Sequence, residues 1–485
     1  MSRDVKRNSN VLESSGEEEI LTSSKKLKES SQTKNEKDSS DFSTGGKSGQ
    51  PSFPNEYAGY SFQHDTSITT IDTLDLNSVC AETFFDRYIR KRKPCILNGL
   101  PPSGGKKKDD VPLNISRKLL EDLAGTKTIQ VERRFNRTEN FGQNRTAKRQ
   151  VQLSISDFLK ALLDNTDADS TSTNTNTTKE NELYYWSTQE DTDDPYNIPC
   201  RQLLDHGHIP ENVPIAGNLI LSSCNLWMGS SEDGASSGLH HDYHDNFYLL
   251  LQGTKRFRLL SPDCAPMLHV YGTIHHIYPN GRISYVGSEA REDGVPLDEL
   301  KRVNDNNPPS DENDDEEEDD DEEEIVIGKG FDYVSDEEED DAEFDENDQK
   351  DDFDEIMGVR TGEGDEIEEV NGSKIPNQGT VDDTHPDSFS VINPCEANQD
   401  SLFEKFPEYK SCRQIVVELK AGQILYLPAG FFHEVTSYSN TNDSVQTNDM
   451  GNCHMALNYW YHPPDALGES DFGSPYKDDF WKKAQ

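Results

Sequence analysis

The sequence predicts a mainly β protein. Its core is a jelly roll of two facing sheets, with α/β elements before it and a long disordered acidic insertion within it. Three observations lead there. First, short alternating apolar stretches broken by Gly, Asn and Pro recur in DNFYLLLQGTKRFRLLSP and HVYGTIHHIYPNGRISYVG, and again in QIVVELKAGQILYLPAGFFHEVTS and HMALNYWYHPP, as in a sandwich or double-sheet jelly roll. Second, neither half is long enough for about eight strands of ~5–6 residues, whereas the two together are. Third, hydrophobic residues make up 32% of the chain, below the roughly 45–50% of an ordinary globular domain, so much of it cannot bury a core.

The elements follow in order. Residues 1–58 are Ser, Lys, Glu and Gly with almost no aromatics, and read as a disordered tail; SSKKLKESS within it has the composition of a weak import signal or of a solvated lysine cluster. Residues 59–200 form an N-terminal helical and strand region packed on the barrel. Asp75 or Asn77 caps a helix carrying Phe84, Phe85, Tyr88 and Ile89 on one side, and Pro94 ends it. CILNGL is a strand entering a turn, ISRKLLEDLAG a short helix closed by Gly125, and TKTIQVERRF a strand. VQLSISDFLKALLDN gives a strand and a helix capped by Ser156, and ELYYWSTQE is a strand after the low-complexity loop DNTDADSTSTNTNTTKENE. Residues 201–285 and 409–465 form the jelly roll, 286–408 are the largely disordered acidic insertion, and 466–485 are a C-terminal tail. Within the insertion, EIVIGKGFDYVS is the one stretch with strand character, and VSDEEED places Ser335 in an acidophilic kinase context.

Charge narrows the partners. The formal net charge is −46, and residues 311–355 alone hold 28 acidic side chains against Lys329 and Lys350. An acidic chain is a poor match for bare nucleic acid and a better one for a basic protein. One basic stretch, TIQVERRFNRTENFGQNRTAKRQ, carries Arg133, Arg134, Arg137, Arg145, Lys148 and Arg149; it is either the solvated face of a hairpin or a patch facing substrate. No apolar run is long enough for a transmembrane helix, the opening MSRDVKRNSNVLESS is polar throughout, and the eight cysteines form no CxxC. These features predict an intracellular protein, in nucleus or cytoplasm, with unpaired cysteines and unused sequons at Asn136 and Asn144.

The stretch GLHHDYHDNFYLLL concentrates metal-capable side chains. On a strand, His240 and Asp242 share a face and His241 points the other way. Two ligands hold a metal weakly, so a third is needed, and His433 in LYLPAGFFHEVTS is the best-placed histidine. Two imidazoles and one carboxylate on one face leave positions open, as in the facial triad of non-haem Fe(II) oxygenases; a three-ligand zinc site is the lesser alternative. His244 is the main rival ligand, although a 240/244 pair shares a face only on a helix. His241, His244, His275, His276 and His454 are assigned structural or supporting roles.

HHD followed by NFYLLLQGTKRFRLLSP, then LPAGFFHEVTS and LNYWYHPP, resembles the JmjC (cupin-like) family of Fe(II)- and 2-oxoglutarate-dependent oxygenases, in its small hydroxylase-like branch. The likeness covers roughly 60–285 and 409–465 and implies a double-stranded β-helix. It also implies a triad of His240, Asp242 and His433. Lys255 corresponds to the lysine that pairs with the distal carboxylate of 2-oxoglutarate, and Ser237 to a hydroxyl that helps hold it. Asn246 and Asn458 correspond to polar residues beside the cosubstrate. Trp227 and Trp460 either wall the substrate side or pack in the core. The insertion departs from the family pattern but leaves the triad intact, since closing a longer loop costs only ~0.6 kcal/mol per doubling.

The resemblance implies an enzyme using Fe(II), 2-oxoglutarate and O2 to hydroxylate, or to N-demethylate, a protein side chain. The acidic insertion suits recruitment of a basic partner such as a histone or ribosomal protein. The alternatives are a non-catalytic acidic chaperone or scaffold, and a tRNA-modifying oxygenase of the same fold that binds RNA through 133–149.

Overall fold

A computed structural model describes residues 53–104, 113–134, 140–142, 149–164, 183–186, 194–231, 233–300, 385–439 and 449–484. Residues 1–52 of the tail, the low-complexity loop, both sequons, EIVIGKGFDYVS and Ser335 lie outside the described residues. The strands are β1 (Asp72–Asp75), β2 (Cys95–Asn98), β3 (Thr128–Arg134), β4 (Gln150–Ser154), β5 (Leu183–Trp186), β6 (Leu221–Gly229), β7 (Ala235–Ser236) and β8 (His240–His241). They continue as β9 (Asp245–Gln252), β10 (Thr254–Leu260), β11 (Ile274–Ile277), β12 (Ile283–Tyr285), β13 (Ile415–Lys420), β14 (Gln423–Leu427), β15 (Phe432–Tyr438) and β16 (His454–Tyr461).

Two sheets carry the fold. The larger runs β1-β2-β14-β9-β16-β6-β5-β3-β4, and the smaller runs β13-β10-β15-β7, with β8 pairing β15. Consecutive strands β9 and β10 lie in different sheets, as do β13 and β14, so the chain crosses the barrel at each tight turn. The β9–β10 turn is Gly253 at φ +84°, where a Cβ would sit 2.6 Å from the Tyr438 carbonyl oxygen. A side chain there meets both left-handed strain and a backbone clash. The strands before and after the insertion close one barrel, as the sequence predicts.

Alternation explains what fills it. On β13, Ile415, Val417 and Leu419 are buried while Val416, Glu418 and Lys420 face solvent. On β10, Lys255, Phe257 and Leu259 point inward. β9 and β16 are buried on both faces. One face of β9 gives Tyr248 and Leu250 to the barrel interior, and the other gives Phe247 and Leu249 to a core shared with Phe84, Tyr88 and Ile89. That second core is why the N-terminal region forms part of the same body.

Local expectations hold with shifts. Asp75 caps a 3-10 turn, Leu76–Ser78, and the helix bearing the aromatic side begins at Ala81 with no side-chain cap. Ser154 caps the Ile155–Asp164 helix in place of Ser156, accepting from the Asp157 N–H at 3.1 Å. Gly125 follows Arg117–Ala124 in a right-handed conformation. The basic stretch matches neither expectation cleanly. Arg134 is buried with its guanidinium 4.4 Å from the Phe141 ring centroid, and Arg149 is buried 3.8 Å from Glu132. Arg137, Arg145 and Lys148 lie outside the described residues.

Apolar anchors hide in polar surroundings at three places read from the sequence as tail or insertion. Order begins before residue 59, where the Glu56 N–H donates to the Ile277 carbonyl at 2.9 Å. The insertion is folded at both ends: Val295 is buried in 286–300, and Ile392, Leu402 and Phe406 are buried in 385–408. The C-terminal tail is anchored by buried Tyr476 and by Trp481 stacked 3.5 Å from His462.

One buried ion pair fastens these layers. The Arg92 guanidinium donates to both Asp245 carboxylate oxygens, with neither side chain reached by solvent. Removing one partner leaves an uncompensated buried charge, a loss of ~3–5 kcal/mol. Arg92→Met should therefore lower unfolding stability by about that amount in urea denaturation, and Arg92→Met/Asp245→Asn should recover a fraction of the loss.

Candidate metal centre

The three triad residues converge although 191 positions separate Asp242 from His433. Antiparallel pairing of β8 with β15 sets His240 opposite His433 and Phe432 opposite His241. The two imidazole centroids are 4.4 Å apart. Asp242 follows β8 directly; its carbonyl accepts from the Gly430 N–H at 2.9 Å. Gly430 has φ +77°, and a Cβ on it would lie 1.8 Å from the Gly281 carbonyl oxygen, so the Pro-Ala-Gly turn permits no side chain here. That turn places His433 as the second residue of β15, six residues past the end of β14.

The donor atoms face one another. His240 Nδ1 is 3.1 Å from the Gly238 carbonyl and His433 Nδ1 is 3.0 Å from the Phe431 carbonyl. With each Nδ1–H donated to the main chain, the Nε2 lone pairs are left for a metal, the usual arrangement around ligating histidines. His240 Nε2 lies 4.0 Å and His433 Nε2 3.7 Å from the Asp242 carboxylate. One donor atom from each of the three residues lies within 4.8 Å of the others, the one such group among the described residues. Burial pushes the Asp242 carboxyl up, and His433, Asn246 and Trp460 pull it back down. A divalent cation at this point would satisfy all three donors.

His241 points away, as strand alternation requires. Its Nε2 is 2.7 Å from the Tyr285 hydroxyl, and burial lowers its pKa to about 3. His244 is not a ligand: it stacks on Trp460 and meets the Ser222 hydroxyl at 3.1 Å, with its pKa lowered by burial to about 3. Buried His454 and Glu56-paired His276 also stand outside the triad.

A cavity of about 120 Å³ opens beside the triad. Ser237, Asn246, Trp227, Asn458 and Trp460 all line it. The Trp227 indole N–H donates to Asn458 Oδ1 at 2.7 Å, and Asn246 Nδ2 is 3.5 Å from Asp242. The Ser237 hydroxyl donates to the Gly238 carbonyl and accepts from the Val435 N–H, so it is engaged with main chain.

Lys255 is completely buried. Its register partner on β15 is Ser437, whose hydroxyl accepts from Nζ at 2.7 Å. The Tyr185 and Tyr248 ring centroids lie 5.4 and 5.9 Å from Nζ. Among the described residues no carboxylate pairs with it, and burial alone lowers its pKa to about 7. Ser437, Tyr185 and Tyr248 all line the cavity, so the ammonium sits behind a wall of hydroxyl-bearing side chains. Burying a cation without an anion is costly, and an anion entering the cavity at this wall would offset that cost.

Sequence reasoning missed Tyr185, Tyr248, Ser437, Glu132 and Phe389. Ser437 was readable, since it lies four residues beyond His433 on the same strand face. Tyr248 was readable as the inward residue two after Asn246. Tyr185, Glu132 and Phe389 come from β5, β3 and the insertion, and no spacing within the barrel motifs points to them.

Removing Asp242 or His433 deletes a ligand with little buried apolar volume. Asp242→Ala and His433→Ala should each lower Co(II) affinity at least ~100-fold in calorimetric titration, since outer partners alone are worth ~10–100-fold. Their urea midpoints without metal should stay near the wild-type value.

Comparison with known proteins agrees with this geometry. A family model for the cupin-like domain matches residues 81–467. JmjC domain-containing protein 4 of Schizosaccharomyces pombe is 29% identical over 467 residues, spanning 87% of this chain and 90% of that protein. JmjC domain-containing protein E of Dictyostelium discoideum is 22% identical over 242 residues, spanning 50% of this chain and 42% of that protein. The family match runs from the helix under the larger sheet, through both β-rich halves and across the insertion, past the last barrel strand: this chain belongs to the cupin-like JmjC family.

Proposed function

We propose that the protein is an Fe(II)- and 2-oxoglutarate-dependent dioxygenase that hydroxylates or N-demethylates a side chain of a basic protein partner. The observation that carries this reading is Lys255, a buried cation without a carboxylate partner among the described residues, set behind the wall of the cavity that also holds the triad. A metal site alone would need no such cation; a dicarboxylate that reaches from metal to lysine would. His240, Asp242 and His433 would hold the iron and leave positions open. Bound iron, with 2-oxoglutarate and O2, supplies the oxidising power that puts one oxygen atom into a substrate C–H bond as 2-oxoglutarate becomes succinate and CO2.

The chain's own residues do the rest. Lys255 and Ser437 would bind the distal carboxylate, with the Tyr185 and Tyr248 rings excluding water around it. Asn246 holds Asp242 through its amide. Trp227 and Asn458, joined by a hydrogen bond, form a fixed polar and aromatic wall on which a substrate side chain would lie. The acidic insertion would recruit the basic partner by charge, and its most acidic stretch lies outside the described residues.

Two measurements test the reading. Succinate formation should require Fe(II) and vanish in His240→Ala; iron binding with no turnover on any protein would favour an acidic scaffold. Mass spectrometry of interacting proteins from cells with and without Asp242→Ala should show one added oxygen or one lost methyl group on a partner.

Lys255 also sets a pH dependence. Its pKa of about 7 in the free protein lies below its ordinary value and would rise when an anion binds. Binding therefore takes up a proton above pH 7, and 2-oxoglutarate affinity should fall up to about tenfold per pH unit from there. Calorimetry in buffers of different ionisation enthalpy would show that uptake. The same depressed pKa makes folding release a proton between pH 7 and the ordinary lysine value, so stability rises with pH across that window. Lys255→Met should remove both effects.

A further inference from the structure

The return end of the insertion enters the metal centre itself. Residues 388–390 form an extra extended segment against the free edge of β8. The His241 N–H donates to the Ser388 carbonyl at 3.2 Å, and the Ser390 N–H donates to the Leu239 carbonyl at 2.8 Å. These two bonds flank the directly opposed pair His240 and Phe389. In antiparallel pairing that is the non-hydrogen-bonded position, where opposed residues approach most closely, with Cα atoms about 4.5 Å apart.

The side chains use that closeness. The Phe389 ring lies parallel to the His240 imidazole, with centroids 4.6 Å apart and planes 8° apart. Phe389 is buried and lines the cavity. Its other edge is fixed too: the Tyr271 N–H donates to its carbonyl at 2.8 Å, and the Val391 N–H donates to the His269 carbonyl at 3.0 Å. The segment is thus held between β8 and the chain around 269–271. Gly142 packs at the ring's tip, where a Cβ would sit 3.3 Å from Phe389 Cζ. His240 is the ligand at the edge of the smaller sheet, with His433 on one side at 4.4 Å and Phe389 on the other.

A ligand at a sheet edge has one neighbour to hold its ring; the second here comes from beyond the acidic run. We propose that Phe389 is a positioning residue of the metal centre, fixing the plane of His240 and keeping water from its ring so that Nε2 is held toward the metal. This rests on the reading of the triad as a metal site. The carbonyl of Gly238 sets which nitrogen of His240 is protonated; the parallel ring sets how far the imidazole can swing about that bond. Offset-stacked rings at this separation favour one another beyond their area of contact.

The test uses full-length apo protein titrated with Co(II), read by its visible absorption. Wild type, Phe389→Ala, Phe389→Leu and Phe389→Tyr are compared, with urea unfolding of each apo form as the folding control. Phe389→Ala should bind Co(II) about 10-fold more weakly, the lower end for loss of a supporting partner around ligands. Phe389→Tyr should bind more tightly than Phe389→Ala and Phe389→Leu, because it keeps the stacked ring while seating a hydroxyl beside Gly142. Phe389→Leu keeps the apolar volume without the ring and should fall with Ala; it decides the matter should Ala fail to fold. Folded Ala and Leu variants that bind Co(II) like wild type would overturn the proposal. Absence of Co(II) binding by wild type would instead overturn the metal reading, and this proposal with it.

Discussion

The Asp245 carboxylate holds several separate parts of this molecule together. It accepts from both terminal nitrogens of Arg92, from the Tyr426 hydroxyl at 2.9 Å and from the Ala429 N–H at 3.0 Å. Arg92 in turn donates through Nε to the Asn280 carbonyl at 2.8 Å. One buried anion therefore ties together the end of the N-terminal helix, the start of β9, the end of β14 and the loop before β12. Desolvating such a pair is expensive, and it is offset by the three hydrogen bonds the guanidinium donates and the four the carboxylate accepts. Asp245 lies three residues after the candidate ligand Asp242, and Ala429 lies four before the candidate ligand His433. The clamp therefore holds the chain on both sides of the candidate metal centre.

Around that clamp the barrel is divided by chemistry. Inward positions of β15 run His433, Val435, Ser437, taking the cavity wall from a candidate metal ligand to the lysine's partner along one strand face. On β16, Asn458 and Trp460 line the same cavity, and Ala456 packs in the apolar core. Between them the interior is apolar and aromatic, with Phe257 and Leu250 buried beneath. A low-dielectric wall strengthens each polar contact made at the cavity, and it makes each unpaired one costly. Lys255 is the clearest case, because its depressed pKa arises from burial alone.

The insertion is integrated at its ends. Its first residues are tied to the C-terminal segment, the Arg291 guanidinium donating to Asp478 and the Trp481 indole N–H to the Asp293 carbonyl, and its last supply an extended segment beside β8. Loop closure explains how so many residues can intervene cheaply between barrel strands. It does not explain why the return should pass the metal ligands. The local reason is that β8 is two residues long and has a free edge, and an unpaired edge is filled by whatever chain lies alongside with the right polarity.

The sequence by itself determined the barrel, the shared face of His240 and Asp242, and the inward side of Lys255. Strand alternation is a local property, so HHD presents His240 and Asp242 together and sends His241 elsewhere, and TKRFRLL turns Lys255 inward. Neither depends on what the strand packs against. The tertiary structure alone decided the neighbours: that His433 faces His240, that Tyr185 arrives from outside the barrel motifs, that Ser154 rather than Ser156 caps its helix, and that Phe389 crosses from the insertion to lie on a ligand. Such contacts are fixed by register between strands distant in sequence and by apolar anchors scattered through polar segments. Averaged over a window, Phe389, Ile392 and Phe406 vanish into their acidic and polar surroundings; in the fold, each has one buried place to go.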